Sequence, residues 1–142
     1  MNEQLLETVE LEMAVFVRRL TSISSVKKLG KLDRSAYLLL HHLYTKGSSG
    51  VKALADEFTL DISTVSRQAS SLEQKGYLDK VSDPSDGRAF FYQITDFGVQ
   101  ELIEYKQARL NRFSELLIDW SDEEGEQFGH LLKKFNLALI EK

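Results

Sequence analysis

Residues 62–71 combine small hydroxyls, one guanidinium and one carboxamide, and they include no acidic side chain. The polar members are Ser63, Thr64, Ser66, Arg67, Gln68, Ser70 and Ser71. Small hydroxyls let a helix approach DNA phosphates, while arginine pairs with guanine and glutamine with adenine in the major groove. Taken alone, the same residues also fit an ordinary surface helix, because short motifs have many false positives.

A second polar cluster, the segment DPSDGR at residues 83–88, places an arginine at the tip of a predicted hairpin. An arginine on a β-ribbon suits a narrow minor groove, where the negative potential of DNA is enhanced. We expect Asp86 to hold the Arg88 guanidinium at a fixed angle through a charge-assisted hydrogen bond. The alternative is an exposed ion pair that contributes well under about 1 kcal/mol. The hairpin follows residues 62–71 directly, so the two clusters together favour a DNA-binding surface.

The spacing of apolar residues predicts three short helices and a hairpin around these clusters. Asp33 is the expected N-cap of the first helix and Gly47 its C′ residue, and Ser49 or Gly50 caps the second. The second and third helices, residues 51–58 and 62–75, form a helix-turn-helix, and residues 77–81 and 89–94 are the strands of a wing. The predicted inward-facing residues are Ala36, Leu39, Leu40, Leu43, Val51, Leu54, Ala55, Phe58, Ile62, Val65, Ala69 and Leu72.

Longer amphipathic helices are predicted on both sides of this central unit. One covers residues 3–25 and is followed by a polar connection at residues 22–32; another opens at Thr95 and Asp96, and the last opens at a capping box of Ser121 and Glu124. Their apolar residues include Leu6, Val9, Met13, Phe16, Val17, Leu20, Val99, Leu102, Ile103, Leu110, Phe113, Leu117, Trp120, Phe128, Leu131, Leu132, Phe135 and Leu139. The central unit is too small to cover three such helices, so we expect a partner to cover them.

The composition excludes several kinds of site and gives DNA binding little direct support. The chain has no cysteine, which removes disulfides, thiol sensors and thiolate metal sites. The net charge is −4, and residues 31–95 carry eight basic and eight acidic side chains, so the negative charge lies in the flanks. A neutral centre permits DNA binding without indicating it. With no apolar run near the ~18 residues of a membrane span and no leader, we expect a cytoplasmic protein without a membrane partner.

Several stretches resemble the MarR family of winged-helix regulators. They are VKALA at residues 51–55, STVSR at 63–67, LEQKGYL at 72–78, and the wing DPSDGR, which runs on to Ile94, Thr95 and Gly98. The resemblance covers essentially the whole chain, and it implies a homodimer that binds pseudo-palindromic double-stranded DNA. The DNA contacts it implies are Ser63, Thr64, Ser66, Arg67 and Gln68 in the recognition helix, and Asp86 and Arg88 in the wing. Lys80 departs from the family, which more often has arginine there, and this departure concerns a phosphate contact.

The predicted fold is mainly α with a small β-hairpin. A winged helix-turn-helix in residues 31–95 is flanked by N- and C-terminal dimerisation helices in residues 1–30 and 96–142. The predicted function is that of a sequence-specific transcriptional regulator that acts as a repressor. A winged-helix adaptor that binds proteins is the alternative, although it would not require an acid-free hydroxyl face. An enzyme is disfavoured, because no phosphate loop, paired carboxylates or nucleophile–base motif is present.

Tyr37, His41 and Tyr44 are spaced i, i+4, i+7 on the helix that begins after Asp33. The resemblance implies that a small aromatic or anionic ligand can bind between the dimerisation helices and the DNA-binding unit, and these rings can line such a pocket. Packing against the first or fifth helix is the alternative, and aromatic stripes at helical spacing favour it. We expect no cofactor and no metal, since only His41 and His42 could contribute to the ligand set of the family's zinc sensors.

Overall fold

The computed structural model describes residues 1–26 and 32–141. Of the connection predicted at residues 22–32, residues 22–26 are helical instead, and residues 27–31 lie outside the described residues. Within the described part, the elements follow the predicted order of helices and hairpin. They are α1 (Glu3–Val26), α2 (Arg34–Lys46), α3 (Val51–Phe58), α4 (Ile62–Gln74), β1 (Leu78–Asp83), β2 (Asp86–Ile94), α5 (Asp96–Leu116) and α6 (Asp122–Glu141). The chain divides into two compact units, Met1–Tyr105 and Lys106–Lys142.

Local signals set the ends of the helices in the first unit. The Asp33 side chain accepts a hydrogen bond from the Ala36 backbone N–H at 2.8 Å and caps α2, as predicted. Gly47 ends α2 and donates its N–H to the Leu43 carbonyl. Gly76 follows α4 with a φ of +84°, a conformation that favours glycine and stops the helix there.

The core of the first unit lies where α2, α3, α4 and the hairpin meet. Its members are Leu32, Ala36, Leu39, Leu40, Leu43, Leu54, Ala55, Val65, Ala69, Leu72, Tyr77, Leu78, Tyr92, Leu102 and Tyr105, with Val51 and Phe58 partly buried against them. The predicted inward faces are therefore confirmed with one exception. Ile62 is 54% exposed, because it is the first residue of α4 and the core ends one turn later, at Val65.

The two strands form an antiparallel hairpin whose register runs from Leu78 opposite Ile94 to Ser82 opposite Phe90. The strands extend further toward the tip than predicted. Asp83 explains the extension, because its carboxylate accepts hydrogen bonds from the Ser85 backbone N–H and hydroxyl and closes a tight turn. The register then shifts to Asp83 opposite Asp86, which leaves residues 87–89 in an irregular segment of β2.

The start of α5 is fixed to the turn between α4 and β1. The Thr95 hydroxyl donates to the Gly76 carbonyl at 2.7 Å and accepts from the Gly98 N–H at 3.0 Å. A Cβ atom at Gly98 would lie 2.3 Å from the Tyr77 carbonyl oxygen, so only glycine fits this close approach. The hairpin therefore leads into α5 through a tightly defined junction.

The second unit contains the capping box predicted for the last helix. The Ser121 N–H donates to the Glu124 carboxylate at 3.0 Å, and the Glu124 N–H donates to the Ser121 hydroxyl at 3.1 Å. Helix α5 ends at Leu116, so Leu117 and Trp120 lie in the turn before α6 and not on the long helix as predicted. The Trp120 ring lies 5.3 Å from the Phe128 ring, so packing onto α6 accounts for its position in this turn.

Candidate nucleic-acid interface

Helix α4 is held as the second helix of a tight helix-turn-helix. Thr59 ends α3 in the left-handed conformation, with φ 54° and ψ 48°, and the Leu60 N–H donates to the Ala55 carbonyl at 3.0 Å. Asp61 then occupies the N-cap position of α4 with an extended backbone. Because Val65, Ala69 and Leu72 are buried, the rest of the helix surface faces outward.

The five recognition residues predicted from the sequence lie on this outward surface. Ser63, Ser66 and Arg67 are exposed, and their i, i+3, i+4 spacing places them on one face of α4. Thr64 and Gln68 are half-buried and share the adjacent face. No acidic side chain lies within ion-pair distance of Arg67 in the part of the chain that the structure describes. The α4 surface can therefore offer hydroxyl, guanidinium and carboxamide donors to a polyanion.

Arg88 is exposed near the wing tip, but its relation to Asp86 differs from the prediction. The Asp86 carboxylate accepts a hydrogen bond from the Arg88 backbone N–H at 3.0 Å and does not hold the guanidinium. An aspartate two residues before an N–H readily closes such a turn, and this local geometry uses the carboxylate oxygen. The charge-assisted pair expected between the two side chains is therefore wrong, and Asp86 shapes the backbone from which Arg88 extends.

The carboxyl of Asp83 is also committed to the wing backbone. Its pKa lies below the ordinary value, because the Ser85 backbone N–H and then the Ser85 hydroxyl donate to the ionised form. Both carboxylates of the wing tip thus satisfy N–H or O–H donors of the protein. The backbone of the wing tip therefore has a defined shape beside Arg88, although the tip contains two acidic residues.

Lys80 makes a contact that sequence reasoning missed. Its Nζ lies 3.7 Å from the Glu73 carboxylate on the last turn of α4 and 4.5 Å from the centre of the Phe90 ring on β2. The two charged residues are seven positions apart and separated by the turn at Gly76, so neither the helical nor the cross-strand spacing rule identifies the pair. The base of the wing is therefore joined to α4 by an ion pair, and the same ammonium makes a cation–π contact across the hairpin.

Tyr92 anchors the same part of the wing from the other side. It is 3% exposed, and its backbone exchanges hydrogen bonds of 2.9 and 3.1 Å with Ser49, just before α3. Burial raises the pKa of its phenol, the Lys80 ammonium opposes that rise, and the Glu73 carboxylate adds to it. The hairpin is consequently tied to the helix-turn-helix at both of its helices.

The three residues predicted to line a ligand pocket are not gathered around one described cavity. The Tyr37 ring packs 4.9 Å from Tyr105 and 5.8 Å from His41, whereas Tyr44 is 55% exposed. The two described pockets, of about 210 and 430 Å³, are lined by other residues; Gln68, Ser71 and Lys75 border the smaller one. The Tyr37–Tyr105 contact is the kind of packing that the alternative interpretation predicts.

Comparison with known proteins agrees with this geometry. The family model described as MarR family matches residues 32–90, which hold α2 to α4 and most of the hairpin. The chain is 45% identical to the uncharacterized HTH-type transcriptional regulator YxaD of Bacillus subtilis, with 99% of each chain covered. It is 28% identical to the HTH-type transcriptional regulator MhqR of the same organism, covering 75% of this chain and 73% of that one.

The chain belongs to the MarR family. A MarR family protein from Bacillus stearothermophilus has the same fold, with a TM-score of 0.80, 20% identity and 99% of each chain covered. The PcaV transcriptional regulator from Streptomyces coelicolor, solved in complex with its natural ligand, gives a TM-score of 0.69 at 23% identity, with 87% of this chain and 91% of that chain covered. As a MarR family member the chain is a DNA-binding transcriptional regulator with a winged helix-turn-helix, and not an enzyme. None of the helices that the structure describes is long and apolar enough to cross a membrane.

Proposed function

We propose that this MarR family protein is a transcriptional repressor that binds pseudo-palindromic DNA as a homodimer. The observation that carries the proposal is the pairing, within one compact unit, of an exposed acid-free face on α4 with an exposed arginine near the wing tip. Neither feature alone decides between DNA and protein as a partner. Together they match the two grooves that a winged helix reads.

The residues of α4 have different roles in this proposal. Its 13 residues span about 20 Å, and only the first half of a recognition helix reaches base edges. Arg67 pairs with guanine and Gln68 with adenine, and these two contacts provide sequence discrimination. Ser63, Thr64 and Ser66 bind phosphates and set the register of the helix in the groove.

The wing supplies the second contact. Arg88 extends from the irregular segment of β2 and enters the minor groove, where negative potential is enhanced. Asp86 contributes indirectly, because its hydrogen bond to the Arg88 N–H fixes the backbone that carries the guanidinium. The hairpin follows α4 directly in the chain, so we expect this contact to lie beside the groove that α4 enters.

The flanking helices support the homodimer. Helices α1 and α6 each leave a series of large apolar side chains exposed in the single chain. On α1 these are Leu5, Leu6, Val9, Leu11, Phe16 and Val17, and on α6 they are Phe128, Leu131, Leu132, Phe135, Leu137, Leu139 and Ile140. Exposed apolar faces of this size mark interaction surfaces. A two-fold dimer would present two α4 helices about 34 Å apart, one turn of DNA.

The proposed function also includes release of the protein from DNA when a small ligand binds. Tyr37, His41 and Tyr44 are the rings proposed to contact a small aromatic or anionic molecule, while packing of Tyr37 against Tyr105 without a ligand is the alternative. Thermal unfolding with and without benzoate, followed by DNA binding in its presence, tests this step. A raised midpoint together with weaker DNA binding supports release, and an unchanged midpoint and affinity support packing.

The central experiment is a salt-dependent gel shift on genomic fragments, starting with the DNA upstream of the protein's own gene. We expect tight binding at low salt that weakens steeply as salt rises, because phosphate contacts release counterions. Absence of binding to any fragment at low salt would contradict the proposal. That result would favour the second candidate, a winged-helix adaptor for proteins, which the zero net charge of residues 31–95 tolerates.

A further inference from the structure

At the base of the wing, the ammonium of Lys80 contacts other side chains of the protein. Lys80 lies on β1 opposite Tyr92, and its ammonium is 3.7 Å from the Glu73 carboxylate and 4.5 Å from the Phe90 ring centre. These contacts connect the last turn of α4 with both strands of the hairpin. No other ion pair between α4 and the wing occurs in residues 1–26 and 32–141.

The ring that receives the Lys80 cation is itself held in place. Phe90 packs edge-on against Tyr92, with ring centres 5.5 Å apart and planes at 90°. Tyr92 is buried and bridged to Ser49, so Phe90, although 42% exposed, packs on a residue that belongs to the core. Phe90 also lies two residues from Arg88 along β2. A shift of the Phe90 segment would therefore move the arginine proposed to enter the minor groove.

We propose that Lys80 is a positioning residue, which sets the angle of the wing relative to α4 and makes no phosphate contact. The Glu73 carboxylate lies 3.7 Å from its ammonium, and a phosphate brought to Lys80 would also approach that carboxylate. This inference rests on the proposed function, because the wing needs a fixed angle only when α4 and Arg88 bind adjacent grooves. Lys80 then acts through Arg88.

The Glu73→Gln variant separates the two roles by the sign of its effect. If Lys80 positions the wing, loss of the carboxylate releases the wing from α4 and weakens DNA binding by about 3- to 5-fold, the upper end of what an exposed ion pair contributes. If Lys80 binds phosphate, removing a nearby acid tightens binding and steepens the salt dependence. Lys80→Gln should weaken binding by a similar factor with an unchanged salt slope, and Lys80→Arg should restore it.

The measurement is the fluorescence anisotropy of a labelled fragment that the wild-type protein binds, recorded over a series of salt concentrations. In an Arg88→Ala background, Lys80→Gln should change affinity less than about 2-fold, because the arginine that it positions is absent. Thermal unfolding of each variant checks that the fold is retained. A salt slope that falls by about 0.9 when Lys80 is replaced, with additive effects in the double variant, overturns the inference. If the wild-type protein binds no fragment, the proposed function itself fails, which is a distinct result.

Discussion

The winged unit of α2 to α4 and the hairpin differs from the terminal helices α1 and α6 in where its apolar side chains lie. In the first, Leu40, Leu54, Val65 and Leu78 are fully buried by other parts of the same chain. In the second, long rows of leucine and phenylalanine remain exposed. The winged unit thus buries its apolar side chains within the single chain, whereas the terminal helices leave theirs for the partner of the proposed dimer. Under the proposed function, DNA binding and dimer formation therefore depend on separate sets of residues, and each set can be disrupted without the other.

The largest effect is expected in the core of the winged unit. Replacing Leu54 with alanine removes a fully buried side chain and should lower the free energy of unfolding by about 2–5 kcal/mol. Chemical denaturation measures this loss, which should be similar at low and high protein concentration. Leu131→Ala on α6 is the matched control, and its destabilisation should depend on protein concentration. A concentration-independent effect of the same size at both positions would contradict the proposed contrast.

The next largest effect is expected on DNA binding when a charge is introduced among the exposed apolar residues of α6, the surface of the proposed dimer. Leu131→Asp places a carboxylate in the exposed apolar row of α6 and should convert the dimer to a monomer, measured by sedimentation. Affinity for a palindromic fragment should fall by about 100-fold or more, because the two half-sites are no longer bound together. Circular dichroism should still show a folded winged unit.

His130→Asp is the control for this second prediction. It adds the same charge on the side of α6 opposite Phe128, Leu132 and Phe135, so it should leave the dimer and its affinity for DNA nearly unchanged. If both variants dissociate the dimer, charge on α6 and not its apolar row would be responsible.

A smaller effect is expected at the wing. Arg88→Ala should leave the dimer and the unfolding midpoint unchanged but weaken DNA binding by about 10-fold, within the roughly 1–3 kcal/mol range of a specific contact. The slope of log affinity against log salt should become shallower by about 0.9 for each phosphate that the variant no longer neutralises. Arg88→Lys, which keeps the charge, should recover most of the slope. An unchanged slope in the alanine variant would mean that the wing does not touch DNA.

Much of the winged unit could be predicted because its signals are local. The Asp33 cap, the glycine stops at Gly47 and Gly76, and the burial of residues such as Leu54 follow from spacing within a few residues. The same holds for the capping box of Ser121 in the second unit.

Three features could not be predicted from the sequence, because they depend on the tertiary structure. Ile62 follows the apolar stripe of α4, yet the core ends before it. The Asp86 carboxylate could bond either the guanidinium or the N–H of Arg88, and only the turn geometry decides between them. Glu73 and Lys80 meet only after the hairpin folds onto α4. Local spacing rules identify helix ends and faces, whereas contacts between elements require the tertiary arrangement.

The smallest expected effect concerns the acid stability of the wing turn. The folded-state pKa of Asp83 lies below its ordinary value of 3.8, chiefly because the Ser85 N–H donates to the ionised carboxylate. A carboxyl whose pKa is depressed by folding adds stability above the unfolded-state pKa, and that contribution is lost as the pH falls through the folded-state value. The wild-type unfolding midpoint should therefore exceed that of Asp83→Ala at pH about 6, and the difference should shrink below pH about 3.8. Because the Asp83 carboxyl is exposed at the hairpin tip, any structural change in Asp83→Ala should be confined to the wing and leave the core of α2 to α4 intact. A difference between the two proteins that stayed constant from pH about 6 to pH about 2 would assign the loss to the side chain's shape and not to its charge.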